Sequence, residues 1–228
     1  MATEVIDRTF VDSLIDSIVR PTADELMETR YFKVLRAGAL TTRRLQGFAL
    51  QHHFHNRSIL KGFALNAIKA SDDPDAFMGI LHGIEEELTH PDLCKKFGLA
   101  MGLTDEDFET EMPILEQLAF TGVSVATSLI IKSPAARRAG PMCSEMLVQR
   151  YSAELAEYLA NAPYNVPEDA LEFFTVHAVA DIEHAERAAQ VVARLATTNA
   201  VKEEVRAFVG YKARMKIAKW EGIYDAYA

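Results

Sequence analysis

The run His177-Ala-Val-Ala-Asp181-Ile-Glu-His184 places two imidazoles and a carboxylate at offsets of four and seven residues. An α-helix completes a turn in 3.6 residues, so these three groups project from one stripe. Glu87-Leu-Thr-His90 supplies a second carboxylate–imidazole pair at the i, i+3 spacing, and Glu145 adds a carboxylate from a third segment. Glu87, Glu145 and Asp181 thus offer oxygen, while His90, His177 and His184 offer nitrogen. Such a mixed set suits two hard first-row metals such as iron better than zinc or calcium. The chemistry it points to is oxygen activation by a metalloenzyme.

Each group also has a plainer reading. A lone helical histidine is more often a hydrogen-bonded core or surface residue than a ligand. Asp181-x-x-His184 can be a surface pair, and Glu85-Glu-Glu87 a solvated acidic face. The flanks favour ligation: Ala178, Val179, Ala180, Ile182 and Ala185 surround Asp181 with small or apolar side chains. Charged groups in such a neighbourhood need partners or a metal. A (Glu/Asp)-x-x-His pair also occurs twice, as in dinuclear carboxylate bundles, with His177 replacing one of the extra carboxylates. Spacing alone leaves a dinuclear site and a mononuclear Glu/His/His triad both open.

The elements that must position these groups read as helices throughout, because apolar residues recur every three or four positions and alternating runs are absent. A first helix is expected over Glu4 to Arg20, stopped by Pro21, and a second from a Thr22 cap to about Ala37, ending at Gly38. Thr41 or Thr42 caps a long helix through His52, His53 and His55 to Ala70. Ser71-Asp-Asp-Pro74 is a capping turn before the helix that carries Glu87 and stops near His90. A short segment runs from Asp92 to Met101, and Thr104 starts another helix with acids in its first turn. Further helices cover roughly Leu115 to Ile131, Ser133-Pro134 to Asn161 (with Glu145), Val166-Pro-Glu-Asp onward (with His177 to His184), and Asn199 to Tyr224. The expected product is a single-domain all-α bundle spanning residues 1–228.

Composition sets the outer limits. With 228 residues, 49% hydrophobic and 25% charged, the chain can bury one core and needs no second domain. A net charge of −9 argues against nucleic acid, and the basic pairs Arg43-Arg44, Lys95-Lys96 and Arg137-Arg138 read as solvated helix faces. Cys94 and Cys143 are too few for a disulfide framework and fit a reducing cytoplasm. No signal peptide or membrane-spanning run is visible, so the expected partner is a small-molecule substrate. A homodimer is expected only as a base rate for helical enzymes of this size.

The Glu87-x-x-His90 pair, Glu145, and His177-x3-Asp181-x2-His184 together resemble the ligand set of the heme-oxygenase-like di-iron oxidases. That family shares a seven-helix fold with heme oxygenase, thiaminase II (TenA) and pyrroloquinoline-quinone synthase. Leu45-Gln-Gly-Phe-Ala-Leu, His90-Pro-Asp-Leu-Cys-Lys-Lys-Phe followed by Gly-Leu-Thr, and Phe173-Phe-Thr-Val-His177 resemble its 4-aminobenzoate synthase branch. The short Glu87-Leu-Thr-His90 link resembles the branch that decarboxylates fatty acids to 1-alkenes. The resemblance implies two ferrous ions per chain with O2 as co-substrate. Glu87, His90 and His177 would hold the first iron, Asp181 and His184 the second, with Glu145 bridging and Glu86 the alternative to Glu87. The implied reaction is oxidation of an amino-acid-derived or carboxylic acid substrate by C–C or C–N cleavage, desaturation or N-oxygenation.

The chain also departs from that branch. Phe32, beside Tyr31, falls where the 4-aminobenzoate synthases have a self-sacrificed tyrosine, and Leu155 where they have a lysine, which makes that chemistry doubtful here. His52-His53 replaces a Tyr-Tyr pair; consecutive residues cannot share a helix face, so at most one points inward, as a buried hydrogen-bonded group or a proton relay, with His55 or Asn56 beside it. Arg150 is a candidate for a substrate carboxylate, or else pairs with a neighbouring acid. Cys143 lies in the helix equivalent to the one that carries the nucleophilic cysteine of thiaminase II, but no base adjacent in sequence activates it, and a small buried thiol is the plainer reading. The competing readings are a metal-independent thiaminase II-like or pyrroloquinoline-quinone-synthase-like enzyme and a ferritin-like iron-binding protein.

Overall fold

The computed structural model describes residues 7–72, 74–131 and 133–228. Glu4, Asp73 and the side chain of Ala180, on which sequence expectations rest, lie outside the described residues. The helices are α1 (Thr9–Leu14), a π turn (Ile15–Val19), α2 (Arg20–Met27), α3 (Arg30–Arg36), α4 (Thr42–Lys69), α5 (Pro74–Glu87), α6 (His90–Ala100), α7 (Asp105–Thr110), α8 (Leu115–Ile130), α9 (Pro134–Ala160), a 3-10 turn (Glu168–Leu171), α10 (Glu172–Leu195) and α11 (Asn199–Ala226). Among the described residues there is no strand, as the all-α reading requires. Seven helices is an undercount. Eleven α-helical segments are present among the described residues, about nine once α1 and α2 are merged and the six-residue α7 is set aside.

Capping chemistry fixes most boundaries. The side chains of Thr41, Thr104 and Ser133 accept the backbone N–H groups of Arg44, Asp107 and Ala136, and Thr104 forms a reciprocal capping box with Asp107. Gly38 and Gly102 follow helix ends with φ of +69° and +88°, a region that glycine enters without steric cost. Pro21, expected to stop the first helix, does not. The Arg20 N–H reaches the Ile15 carbonyl across the π turn, and Pro21 then occupies the first turn of α2, where a missing N–H is tolerated. Thr22 accordingly caps nothing and bonds back to the Ile18 carbonyl at 2.6 Å. The chain instead breaks at Glu28–Thr29, where Thr29 turns extended (φ −63°, ψ 158°).

The buried residues form one cluster that runs through the bundle. Helices α9 and α10 make the most extensive pairing; α11 packs on α9 and α8, and α4 on α6, α8 and α5. The aromatic centre of this cluster is Trp220, stacked on Phe48 (centroids 5.2 Å apart) and edge-on to Tyr31 (4.7 Å). Phe173 and Phe174 pack against Phe48 at 5.7 and 5.2 Å. Such contacts add to simple burial and fix the azimuth of α4, α10 and α11 about their axes.

Helix α6 approaches α4 closely because Gly98 has no side chain. A Cβ there would lie 2.9 Å from Ala49 Cβ and 2.5 Å from the Phe108 ring. Gly98→Ala is therefore expected to lower stability by about 1–3 kcal/mol, read as a lower urea midpoint at unchanged slope. Gly210→Ala in α11, with open space around its Cβ, is expected to gain up to about 1 kcal/mol. Equal stability of the Gly98→Ala chain and the parent would contradict this helix contact.

Candidate functional site

Helix ends and helix stripes deliver the candidate donors to one place. Glu87 closes α5 and His90 opens α6, so the two-residue break between them sets their relation. Pro91 sits in the first turn of α6, where it fixes that break. His90 Nδ1 donates to Glu87 Oε2 at 2.7 Å. Helix α9 presents Glu145, and α10 presents His177 and Asp181 one turn apart. The His90 and His177 rings lie with centroids 4.4 Å apart. His177 Nδ1 donates to the Phe173 carbonyl at 2.6 Å, which leaves Nε2 with its lone pair. Glu87, His90, Glu145, His177 and Asp181 all line a single cavity of about 100 Å³.

His184 stands apart from the other five. It does not line the cavity; its Nε2 is 3.5 Å from Glu86 and its Nδ1 3.8 Å from Asp181. Glu86 is held by Arg187 at 3.1 Å and by His82 at 3.2 Å, whereas Glu87 faces the cavity. Among the described residues, no three His, Cys, Asp or Glu side chains converge on a point at metal-bonding distance. The chemistry of the set nonetheless fits a cation. Glu145 Oε2 and Asp181 Oδ2 are buried without a hydrogen-bond partner, an arrangement that native cores rarely tolerate.

Electrostatics follow from that burial. Desolvation, reinforced by the Glu87 charge, pushes Glu145 up to about 7. Desolvation and then the charges of Glu145 and Glu87 push Asp181 up to about 8. Burial drives His177 down to about 4, so its imidazole is neutral at pH 7. A cation between these groups would return the carboxyls to their charged form.

Other sequence candidates separate sharply. His52 faces the cavity, stacked on Phe48 with centroids 5.1 Å apart; its neighbour His53 turns away to the Pro91 carbonyl at 2.9 Å. His55 also lines the cavity and meets Thr121 Oγ1 at 2.9 Å. Arg150 is half-exposed and pairs with Glu154 at 3.1 Å, an acid also held by Arg36 at 2.8 Å; it does not line the cavity. Phe32 and Leu155 are packed in the hydrocarbon core. Val179 and Ile182, counted as apolar surroundings of Asp181, are exposed and face outward. The Arg137-Arg138 pair is not simply a solvated face either: both are half-buried, and Arg137 lines the cavity and donates to the Ile131 carbonyl at 3.1 Å.

Sequence reasoning missed the lysines of α11. Lys212 and Lys216 line the cavity, and Lys219 is buried behind His52. Their spacing of four and three residues, in register with buried Val205, Val209 and Ile223, carried the signal.

A family model described as "iron-containing redox enzyme" matches residues 46–218. The chain belongs to this iron-containing redox enzyme family and is, by that membership, a redox enzyme. It is 29% identical over 205 residues to the 4-aminobenzoate synthase of Chlamydia trachomatis serovar D, covering 85% of this chain and 83% of that one. Among solved structures, a heme oxygenase-like domain from Shewanella denitrificans matches with a TM-score of 0.85 at 17% identity, covering 98% of this chain and 94% of that one. A TenA homologue from Pseudomonas syringae matches with a TM-score of 0.79 at 17% identity, covering 95% and 93%. The fold is thus heme oxygenase-like, shared with TenA homologues. No helix among the described residues is long and apolar enough to cross a membrane.

For the metal-free protein these shifts have a definite sign. A carboxyl whose folded pKa is raised favours folding below its unfolded value, and that contribution is lost as pH climbs through the folded value. Asp181 runs from 3.8 to about 8. Asp181→Asn should therefore gain on the parent between pH 5 and pH 8, by about 1–3 kcal/mol. Thermal or urea melts of both chains at the two pH values measure the gap; a gap that does not change with pH would show that Asp181 is not held neutral.

Proposed function

We propose that residues 1–228 form one heme-oxygenase-like domain that acts as a non-heme di-iron oxidase or oxygenase on a small substrate. Glu87, His90 and His177 would hold one iron, Asp181 and His184 the other, with Glu145 shared between them. The observation that carries this reading is the pair of buried, unpartnered carboxylate oxygens on Glu145 and Asp181, facing a cavity that neutral imidazoles also line. Membership of the iron-containing redox enzyme family and similarity to a 4-aminobenzoate synthase support it.

When bound, the two ferrous ions would supply the reduction of O2. The chain supplies the rest. The Phe173 carbonyl fixes the ring of His177 and its tautomer, and Glu87 does the same for His90. His52, neutral because burial and then the Lys219 charge push its pKa well down, stands at the cavity wall able to pass a proton. Phe63, Val123, Val148 and Phe208 give the cavity an apolar wall that limits water. A self-sacrificing route through positions 32 and 155 is disfavoured, since Phe32 and Leu155 carry no reactive group.

A thiaminase II-like reaction at Cys143 has less support. Its thiol is fully buried, burial pushes its pKa up to about 11, and it donates to the Val209 carbonyl at 4.0 Å. A homodimer, and a cytoplasm in which buried Cys94 and Cys143 stay reduced, belong to the same proposal.

Anaerobic loading with ferrous ion followed by O2 tests it. The expected result is iron uptake approaching two per chain and a transient visible absorption band. His177→Ala should weaken iron binding by about tenfold or more, and His184→Ala should abolish the band. An iron content near zero after iron-supplemented expression and ferrous titration would overturn the reading.

A further inference from the structure

Lys212, Lys216 and Lys219 are only 5%, 1% and 0% exposed. Lysine is almost never so buried without an acid beside it. Among the described residues, no carboxylate lies within ion-pair distance of any of the three. Neutral groups take that place. Lys212 Nζ meets Ser124 Oγ, Lys216 Nζ meets Ser144 Oγ at 3.3 Å, and Lys219 Nζ meets His52 Nδ1. The Phe120 ring faces Lys212 and Lys216 at 4.1 and 4.6 Å. Burial and mutual repulsion push Lys212 down to about 7, and burial pushes Lys216 down to about 8. Burial pushes Lys219 well down too, so three lysine amines share one desolvated corner with no carboxylate among the described residues bonded to them, and Asp181 acts on Lys216 only at longer range.

That corner opens on the cavity that the candidate donors line. Ser124 and Ser144 line it together with Lys212 and Lys216, and the same cavity wall includes the apolar Ile59, Phe63, Val123 and Phe208 as well as the polar Asn66, Thr127 and Arg137. A cationic pole with hydroxyl donors beside an apolar wall matches an amphipathic monoanion. A phosphate would instead favour forked arginines or a helix N-terminus.

We propose that Lys212 and Lys216 bind the carboxylate of an apolar carboxylic acid whose hydrocarbon part lies against Ile59, Phe63, Val123 and Phe208. The inference deepens the oxidase reading and rests on it for the fate of the bound acid, though not for the binding. Lys219, one turn on, does not line the cavity and bonds to His52 instead.

Calorimetric titration of octanoate into the full-length chain, metal-free and ferrous-loaded without oxygen, tests the inference, with 1-octanol as the uncharged control. Octanoate is expected to bind both forms about equally, and about tenfold or more tighter than 1-octanol. Lys212→Met and Lys216→Met keep the stem and remove the charge; each should weaken octanoate by about tenfold and leave 1-octanol unchanged. Because each variant removes a buried charge, its melting temperature should hold or rise. The octanoate-to-octanol ratio on the parent chain decides the matter even if a variant fails to fold. Equal binding of the two probes, no octanoate binding, or variants that bind octanoate like the parent would overturn the inference. Octanoate that binds only the ferrous-loaded chain, indifferent to both lysines, would sink it and leave the oxidase reading standing. Lysine-dependent binding by a chain that takes up no iron would do the reverse.

Discussion

The site depends on carboxylates that the fold buries without giving them partners. Glu145 and Asp181 each leave one oxygen bare in the interior; burial raises the pKa of both, and the charge of Glu145 raises Asp181 further. With Glu145 raised to about 7 and Asp181 to about 8, a metal-free chain near pH 7 holds Asp181 largely, and Glu145 only in part, as the neutral acid. A helical bundle could remove the cost of burying them by putting an amide or a leucine at either position. Keeping the acids makes sense where a cation fills the gap between them, because the same burial that penalises a bare charge strengthens its attraction to a metal.

The surrounding fold makes that arrangement tolerable. Phe48, Phe173, Phe174 and Trp220 form a rigid aromatic layer beneath the cavity, and close approach at Gly98 ties α6 to α4. Stability gathered there offsets what the polar cavity gives up. The cavity itself has two chemical poles. Acids and imidazoles come from the α5–α6 junction, α9 and α10, with two more imidazoles from α4; lysine amines come from α11 and the Arg137 guanidinium from the start of α9. An acidic substrate entering such a space is drawn to one pole and repelled from the other, so its orientation is set before any reaction occurs.

Local chemistry explains which parts of this were legible in the sequence. Thr41, Thr104 and Ser133 mark helix starts because their side chains satisfy N–H groups that any helix leaves open, whatever it packs against. His177 and Asp181 stood out because their spacing is a property of a single helix; Glu87 and His90 stood out as a close carboxylate–imidazole pair, although the helix expected to carry both breaks between them. Pro21 misled because the π turn that accommodates it has no sequence mark of its own. The three lysines were overlooked for a different reason. Lysine reads as surface unless the opposing wall is known, and here that wall is built by α4, α8 and α9, distant in sequence.

The donor set is not equally ready on both sides. Glu87, His90 and His177 are oriented by short hydrogen bonds or by the backbone, although they do not converge at metal-bonding distance. His184 instead leans on Glu86, which Arg187 and His82 also hold. A cation at the second position must draw His184 out of that network and leave Glu86 with two partners rather than three. On the proposed di-iron reading, that difference would leave the second metal the weaker bound. Affinity at the two proposed positions should therefore respond to different residues: the first to the Phe173–His177 contact, the second to Arg187, which holds Glu86 and places its charge near His184.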